Sequence, residues 1–310
     1  MYPYEGRGAK MKHVIPFALL VVALASLCIG QQEQPQGEQE GWTVQDWKDH
    51  LTFINPPSGQ DATSMIPVFR HADELPVGTH IVFQIESTGS IRGAPTSIDT
   101  TLDLTIAGRE TVNGIDCTVV DITIEMEMES SGETLPLTIQ GKEWIDVNGV
   151  PVKVEEEVTM TISEFEIPMS LMVERTGEEV YQGHECWVFS GPLTVDIMGM
   201  TTEGSVTEYM DKESSQVIRV ITEIATETDD TQYMEPPPSV EELEWELGGR
   251  ETVKTPPGTY DCQVIYLKEN NEVVGTIWVN EEIRVPVKYV ATYKTEYMDM
   301  EVTMTLVEYT

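Results

Sequence analysis

The sequence predicts a mainly β protein: a curved antiparallel sheet, or half-open barrel, of three tandem repeat units with a short N-terminal helix. Two recurring segments and one periodicity lead there. GRETVNGIDCTVV, beginning at Gly108, returns as GEEVYQGHECWVF from Gly177 and as GRETVKTPPGTYDCQVI from Gly249. Cys117, Cys186 and Cys262 thereby hold one position in units spaced roughly 70 residues apart, a length that signals a duplicated supersecondary unit. A looser signature follows each copy: an aromatic, an apolar residue, Asp or Asn, a turn, and an apolar-flanked cation. It reads WIDVNGVPVKV from Trp144, YMDKESSQVIRV from Tyr209 and WVNEEIRVPVKYV from Trp278. Between these segments the hydrophobic period is two. Val120, Ile122, Ile124, Met126 and Met128 alternate with Asp121, Thr123, Glu125 and Glu127, and Val152, Val154, Val158, Met160 and Ile162 share a face on which Glu156 is the intruder. Such alternation marks antiparallel strands with one wet and one buried face.

Residues 1–30 read as an export leader, with Arg7, Lys10 and Lys12 ahead of an apolar run from Val14 to Leu27. That run is short for a membrane span. Cys28 closes it in Ala-Ser-Leu-Cys, which resembles the lipobox where prokaryotic lipoproteins gain an acylated N-terminal Cys, although Leu27 replaces the usual small residue. Cys28 is therefore the expected lipid-attachment site, with a soluble secreted product or an uncleaved anchor as alternatives. Residues 31–74 form a polar tether and a short amphipathic helix. The helix is placed at 43–53, where Thr43 begins a capping-box-like TVQD and Val44, Trp47 and Leu51 recur at helical spacing. Pro56, Pro57 and Gly59 make residues 55–78 loop-like. A β domain of two repeat units covers 75–235, and the third unit, 236–310, follows Pro236-Pro237-Pro238 and is expected to continue the same sheet. Each unit reads as a lead strand, a turn at the Gly-x-Glu, the Cys strand, a hairpin partner and one strand more. Asn148-Gly149 makes a hairpin turn, and Leu243, Trp245 and Leu247 make a strand. About eleven to thirteen strands result.

Composition narrows the function classes. Against 54 acidic residues stand only 18 basic ones, a net charge of −36. Nucleic-acid binding needs clustered cations and is disfavoured, as is electrostatic adhesion to an anionic membrane. Three cysteines beyond the leader cannot all pair, so equivalent core thiols are expected rather than a disulfide framework. The sequence has no Gly-x-Ser-x-Gly, no His-Glu-x-x-His and no Cys-x-x-Cys. His184 stands two residues before Cys186, but Ile115 and Tyr260 occupy its place in the other units, which favours packing over catalysis. Met126/Met128, Met198/Met200 and Met298/Met300 form Met-x-Met pairs. Thioethers two apart on a strand point the same way and could hold Cu(I) at Met126, Met128, Met198 and Met200; the competing reading is core or cavity lining.

The segments TPPGTYDCQVI and GTIWVNEEIRVPVKYVATY resemble extracytoplasmic prokaryotic β domains, the superfamily of Lol-type lipoprotein carriers with their mycobacterial and archaeal lipoprotein relatives. Over residues 75–310 the resemblance implies a half-open barrel whose apolar concave face holds an acyl chain or another hydrophobic ligand. The chain departs from the carriers in its third unit, its own anchor and its charge. Together these readings give a non-enzymatic lipoprotein at the cell surface, anchored through its N-terminus and binding a hydrophobic ligand without a cofactor. A structural or protein-interaction module of the envelope is the alternative.

Overall fold

A computed structural model describes residues 42–54, 66–69, 71–91, 93–130, 132–162, 165–197, 199–212, 217–224, 227–232, 243–294 and 298–310. The leader, Cys28, the polar tether and Met198 lie outside the described residues.

Helix α1 spans Val44–His50. Thr43 caps it: its hydroxyl accepts from the Asp46 amide at 3.2 Å, and the Asp46 carboxylate accepts from the Thr43 amide at 2.7 Å. These reciprocal bonds satisfy two backbone donors at the helix start. The helix is shorter than the 43–53 read from spacing. Leu51 already takes extended dihedrals, because Leu51-Thr52-Phe53-Ile54 forms strand β1 (Leu51–Ile54) paired antiparallel with β2 (Ile66–Phe69). A 3-10 turn follows at Ala72–Glu74. Within the loop-like stretch 55–78 the described residues thus contain both a strand and a helical turn.

The remaining elements are β3 (His80–Ile91), β4 (Ala94–Val112), β5 (Ile115–Ser130), β6 (Glu133–Asp146), β7 (Pro151–Ile162), β8 (Phe165–Tyr181), β9 (His184–Ile197), β10 (Met200–Asp211), β11 (Val217–Ile224), β12 (Glu227–Gln232), β13 (Glu244–Thr255), β14 (Gly258–Glu269), β15 (Glu272–Asn280), β16 (Val285–Lys294) and β17 (Met298–Tyr309). They form one antiparallel sheet of 15 strands, β12 to β3 in reverse sequence order, then β17 to β13. The chain walks outward from β3 to β12, restarts at the far edge with β13, and returns until β17 pairs with β3. Among the described residues the edges, β12 and β13, do not pair with each other, so the sheet stays unclosed. Its count exceeds the eleven to thirteen expected because β3, β12 and β17 stand outside the three four-stranded segments β4–β7, β8–β11 and β13–β16.

Gly-x-Glu is not a turn. Register shifts fall between Ile106 and Gly108, Arg175 and Gly177, and Leu247 and Arg250, so each motif is a bulge inside its lead strand. The reversal comes later, where Asn113-Gly114 and Gln182-Gly183 have φ of 53° and 83°, and 51° and 96°. Positive φ at both central residues is the two-residue hairpin geometry that matches strand twist. Bulges bend a strand and increase its twist, and three of them at equivalent places help the sheet curl.

The concave face carries two cores. The first gathers Ile81, Phe83, Leu104, Ile106, Val120, Ile265, Ile277, Val287, Tyr289 and Leu306, and is closed by Trp47 and Leu51 with Phe69, Ala72 and Leu75. Here β13 also lies near β16 and β17, non-adjacent strands it reaches because the sheet curls. The second core gathers Ile139, Val154, Val158, Leu171, Phe189, Leu193, Val206 and Val220 with Met126, Met160, Met169 and Met210. Ile124, on β5, packs against both.

Candidate functional site

Three acids sit on the apolar register of this concave face. Glu143 on β6 continues Leu137 and Ile139; Glu156 on β7 lies between Val154 and Val158; Glu208 on β10 lies between Val206 and Met210. Their exposures are 0%, 3% and 2%. Across the ladders Glu156 faces Leu171 and Gly141, Glu208 faces Phe189 and Val220, and Glu143 faces Val120 and Val154. Gly141 makes room: a Cβ there would stand 3.2 Å from the Glu156 Cγ and 3.1 Å from the Glu155 carbonyl oxygen.

The electrostatics follow from this placement. Burial pushes the Glu156 carboxyl well above the usual range, and the Glu208 and Glu143 carboxyls push it further. Glu208 is raised by burial to about 7. A carboxylate removed from water without a counter-charge is disfavoured, and a like charge nearby compounds the cost. Neither oxygen of Glu156 has a hydrogen-bond partner among the described residues, nor does Oε1 of Glu208. Because β8 and β9 separate β7 from β10 in the sheet, Glu156 and Glu208 come within electrostatic reach only through its curl. The signal in the sequence was an acid where alternation demands an apolar residue. It is plain at Glu156, whereas at Glu143 and Glu208 the abundance of acids hides it.

The repeated cysteines are elsewhere. Cys117 packs with Val119, Trp144 and Val152, and Cys186 with Val188, Tyr209 and Ile218, while Cys262 joins the first core. All three are free and buried. Each thiol donates to the carbonyl two residues earlier, at 3.4, 3.5 and 3.8 Å, and pairs across the ladder with the Glu of its Gly-x-Glu. Burial raises all three thiols, Cys262 to about 12. In every copy the cation of the looser signature lies over its aromatic ring: Lys153 at 4.6 Å from Trp144, Arg219 at 5.1 Å from Tyr209, and Lys288 at 5.2 Å from Trp278. The indoles of Trp144 and Trp278 donate to Glu110 and Glu251, both at 2.8 Å. In the first and third copies these indole bonds tie the two recurring segments to each other.

The other sequence candidates scatter. His184 turns its Nδ1 to Asp211 at 3.2 Å, and Cys186 bonds the His184 carbonyl rather than its ring. Met126 is buried in the second core and Met128 packs against it, whereas Met200 is 68% exposed at the start of β10. Met126 and Met200 therefore lie in unlike surroundings, and Met198 is outside the described residues. Among the described residues no group of three or more His, Cys, Asp and Glu side chains is arranged to hold a metal ion.

No family model and no curated protein matches the chain. Among solved structures, a provisionally assigned lipoprotein from Parabacteroides distasonis is 10% identical, covering 76% of this chain and 96% of its own, with a TM-score of 0.26. A provisionally assigned exported protein with a YmcC-like fold from Bacteroides fragilis is 11% identical with the same coverages and a TM-score of 0.25. Likenesses this slight carry no inference about this chain, and membership of the Lol-type superfamily stays an expectation of the sequence.

Proposed function

We propose that this chain is an exported protein, tethered through its N-terminal segment, that holds a hydrophobic ligand in the second half of its concave face without catalysing a reaction. The observation that carries this reading is the contrast between the two cores. Among the described residues the first holds one buried methionine, Met304, and is closed by α1 and the β1–β2 pair. The second contains Met126, Met160, Met169 and Met210, and no described helix covers it. Unbranched, polarisable thioethers repack around different shapes, as surfaces that accept varied apolar partners require. An export leader and a polar tether in the sequence place such a protein outside the membrane.

Native mass spectrometry on gently purified protein tests the reading. A co-purifying apolar molecule, replaced by a long-chain alcohol after extraction, is the expected result. A protein of bare polypeptide mass that takes up no long-chain probe would end it. A second reading, an envelope interaction module, is favoured by β12 and β13, which among the described residues are the edge strands of the sheet and so candidates for strand addition.

A further inference from the structure

Given a hydrophobic ligand in the second core, the chemistry of its polar end can be read from the side chains that remain unsatisfied there. We propose that the ligand is an amphiphile bearing a protonated amine, and that Glu156 and Glu208 receive its ammonium group inside the curled sheet. This rests on the reading above and narrows it.

Two observations combine. The first is the cluster itself, three carboxyls on one buried face with Val120, Val154, Leu171, Phe189 and Val220 opposite them in the ladders. The second is hydrogen bonding: Glu156 is 3% exposed, yet among the described residues both its oxygens lack a partner, as does Oε1 of Glu208. Buried polar atoms in a folded protein are nearly always satisfied, so such oxygens call for a donor from outside the chain. An ammonium group supplies three donors and the missing charge. An anionic head, whether a fatty carboxylate or a phosphate, would add a fourth negative group to the cluster and is rejected. A neutral hydroxyl could accept from a protonated Glu or donate to it, but brings no counter-charge when the carboxyls ionise. The surrounding methionines and aliphatic residues suit the alkyl tail.

Among the described residues, the carboxyls on this buried face are Glu143 from β6, Glu156 from β7 and Glu208 from β10. The cross-strand positions from β5, β8, β9 and β11 are apolar. Binding an ammonium favours the ionised carboxyls, so protons leave as the amine enters. With Glu208 near 7, amine affinity rises with pH through neutrality, while a neutral ligand follows no such course.

Titration calorimetry of the full exported chain with dodecylamine, dodecanol and dodecanoate separates the outcomes. The amine is expected to bind about tenfold or more tighter than the alcohol near pH 8, with the carboxylate weakest. Its advantage should shrink by roughly tenfold per pH unit below about 7, where a required carboxylate protonates. Glu156→Gln with Glu208→Gln should abolish the preference for amine over alcohol at every pH. If alcohol and amine bind equally at every pH, the amine assignment falls while the hydrophobic site stands. If none of the three binds, the underlying reading falls and takes the assignment with it. Should the double variant fail to fold, the wild-type comparison of amine with alcohol across pH still decides.

Discussion

Glu208 couples folding to pH. Its carboxyl titrates at about 7 in the folded chain against an ordinary 4.5. The neutral form suits the apolar surroundings, so its stabilising effect is fully present below about 4.5. As pH rises, the unfolded chain ionises first, and the contribution drains away until the folded carboxyl also ionises near 7. The displacement corresponds to roughly 3 kcal/mol of lost stability. Glu156, raised further by burial and by its like-charged neighbours, acts in the same direction. Urea unfolding of wild type and Glu208→Gln between pH 4.5 and 8 reads this out: the variant should gain on the wild type up to about pH 7 and level off above it. A constant offset, expected simply from burying an amide, would show that the carboxyl is not held neutral by burial. The residue scale was half legible. Glu156 broke its strand's alternation in plain view, but nothing local to it named Glu143 and Glu208 as its company.

At the scale of the strand pair, glycine marks two different needs. Gly177 lies at the bulge of the second lead strand, and a Cβ there would meet nothing within 4 Å. Gly191, on β9, faces the backbone of β8 so closely that a Cβ would overlap the Met172 carbonyl. Gly191→Ala must therefore force β8 and β9 apart, at a cost on the order of 3 kcal/mol or more, while Gly177→Ala should stay within about 0.5 kcal/mol. Thermal unfolding of both variants checks this, and equal effects would contradict the close approach. The recurring segments were legible as text, yet the text misplaced their reversal. A Gly before an acidic residue reads as a turn. The ladder shows instead that it absorbs one extra residue, because the Cys strand must keep Cys117, Cys186 and Cys262 opposite Glu110, Glu179 and Glu251.

Across the whole molecule, the β3–β17 ladder joins the outward walk to the return. Ile85 opposite Met304 and Phe83 opposite Leu306 bring the last strand into the centre of the sheet, and β14–β17 supply much of the first core. A chain ending at residue 235 would leave β3 as a bare edge with Ile81, Phe83 and Ile85 uncovered. Exposed hydrophobic edges of this kind drive association. Such a fragment is expected to bind an apolar fluorescent dye and to lose cooperative unfolding; a monomeric fragment that unfolds cooperatively would show that the first core does not depend on the return. The acids that give the chain its −36 charge alternate with the core along strands such as β5, where Glu125, Glu127 and Glu129 are exposed opposite a buried Met126.

What the sequence by itself determined is local: which segments are strands, which side of each faces inward, and where the copies of one contact set begin. A period of two and a short turn motif are properties of neighbouring residues, and they survive any global arrangement. Only the tertiary structure decided that β17 lies beside β3, that one concave face divides into two cores, and that Glu143, Glu156 and Glu208 share it. Those outcomes depend on which distant strands pair and on how far twist and bulges accumulate into curl, and no stretch of the chain encodes either in its own spacing.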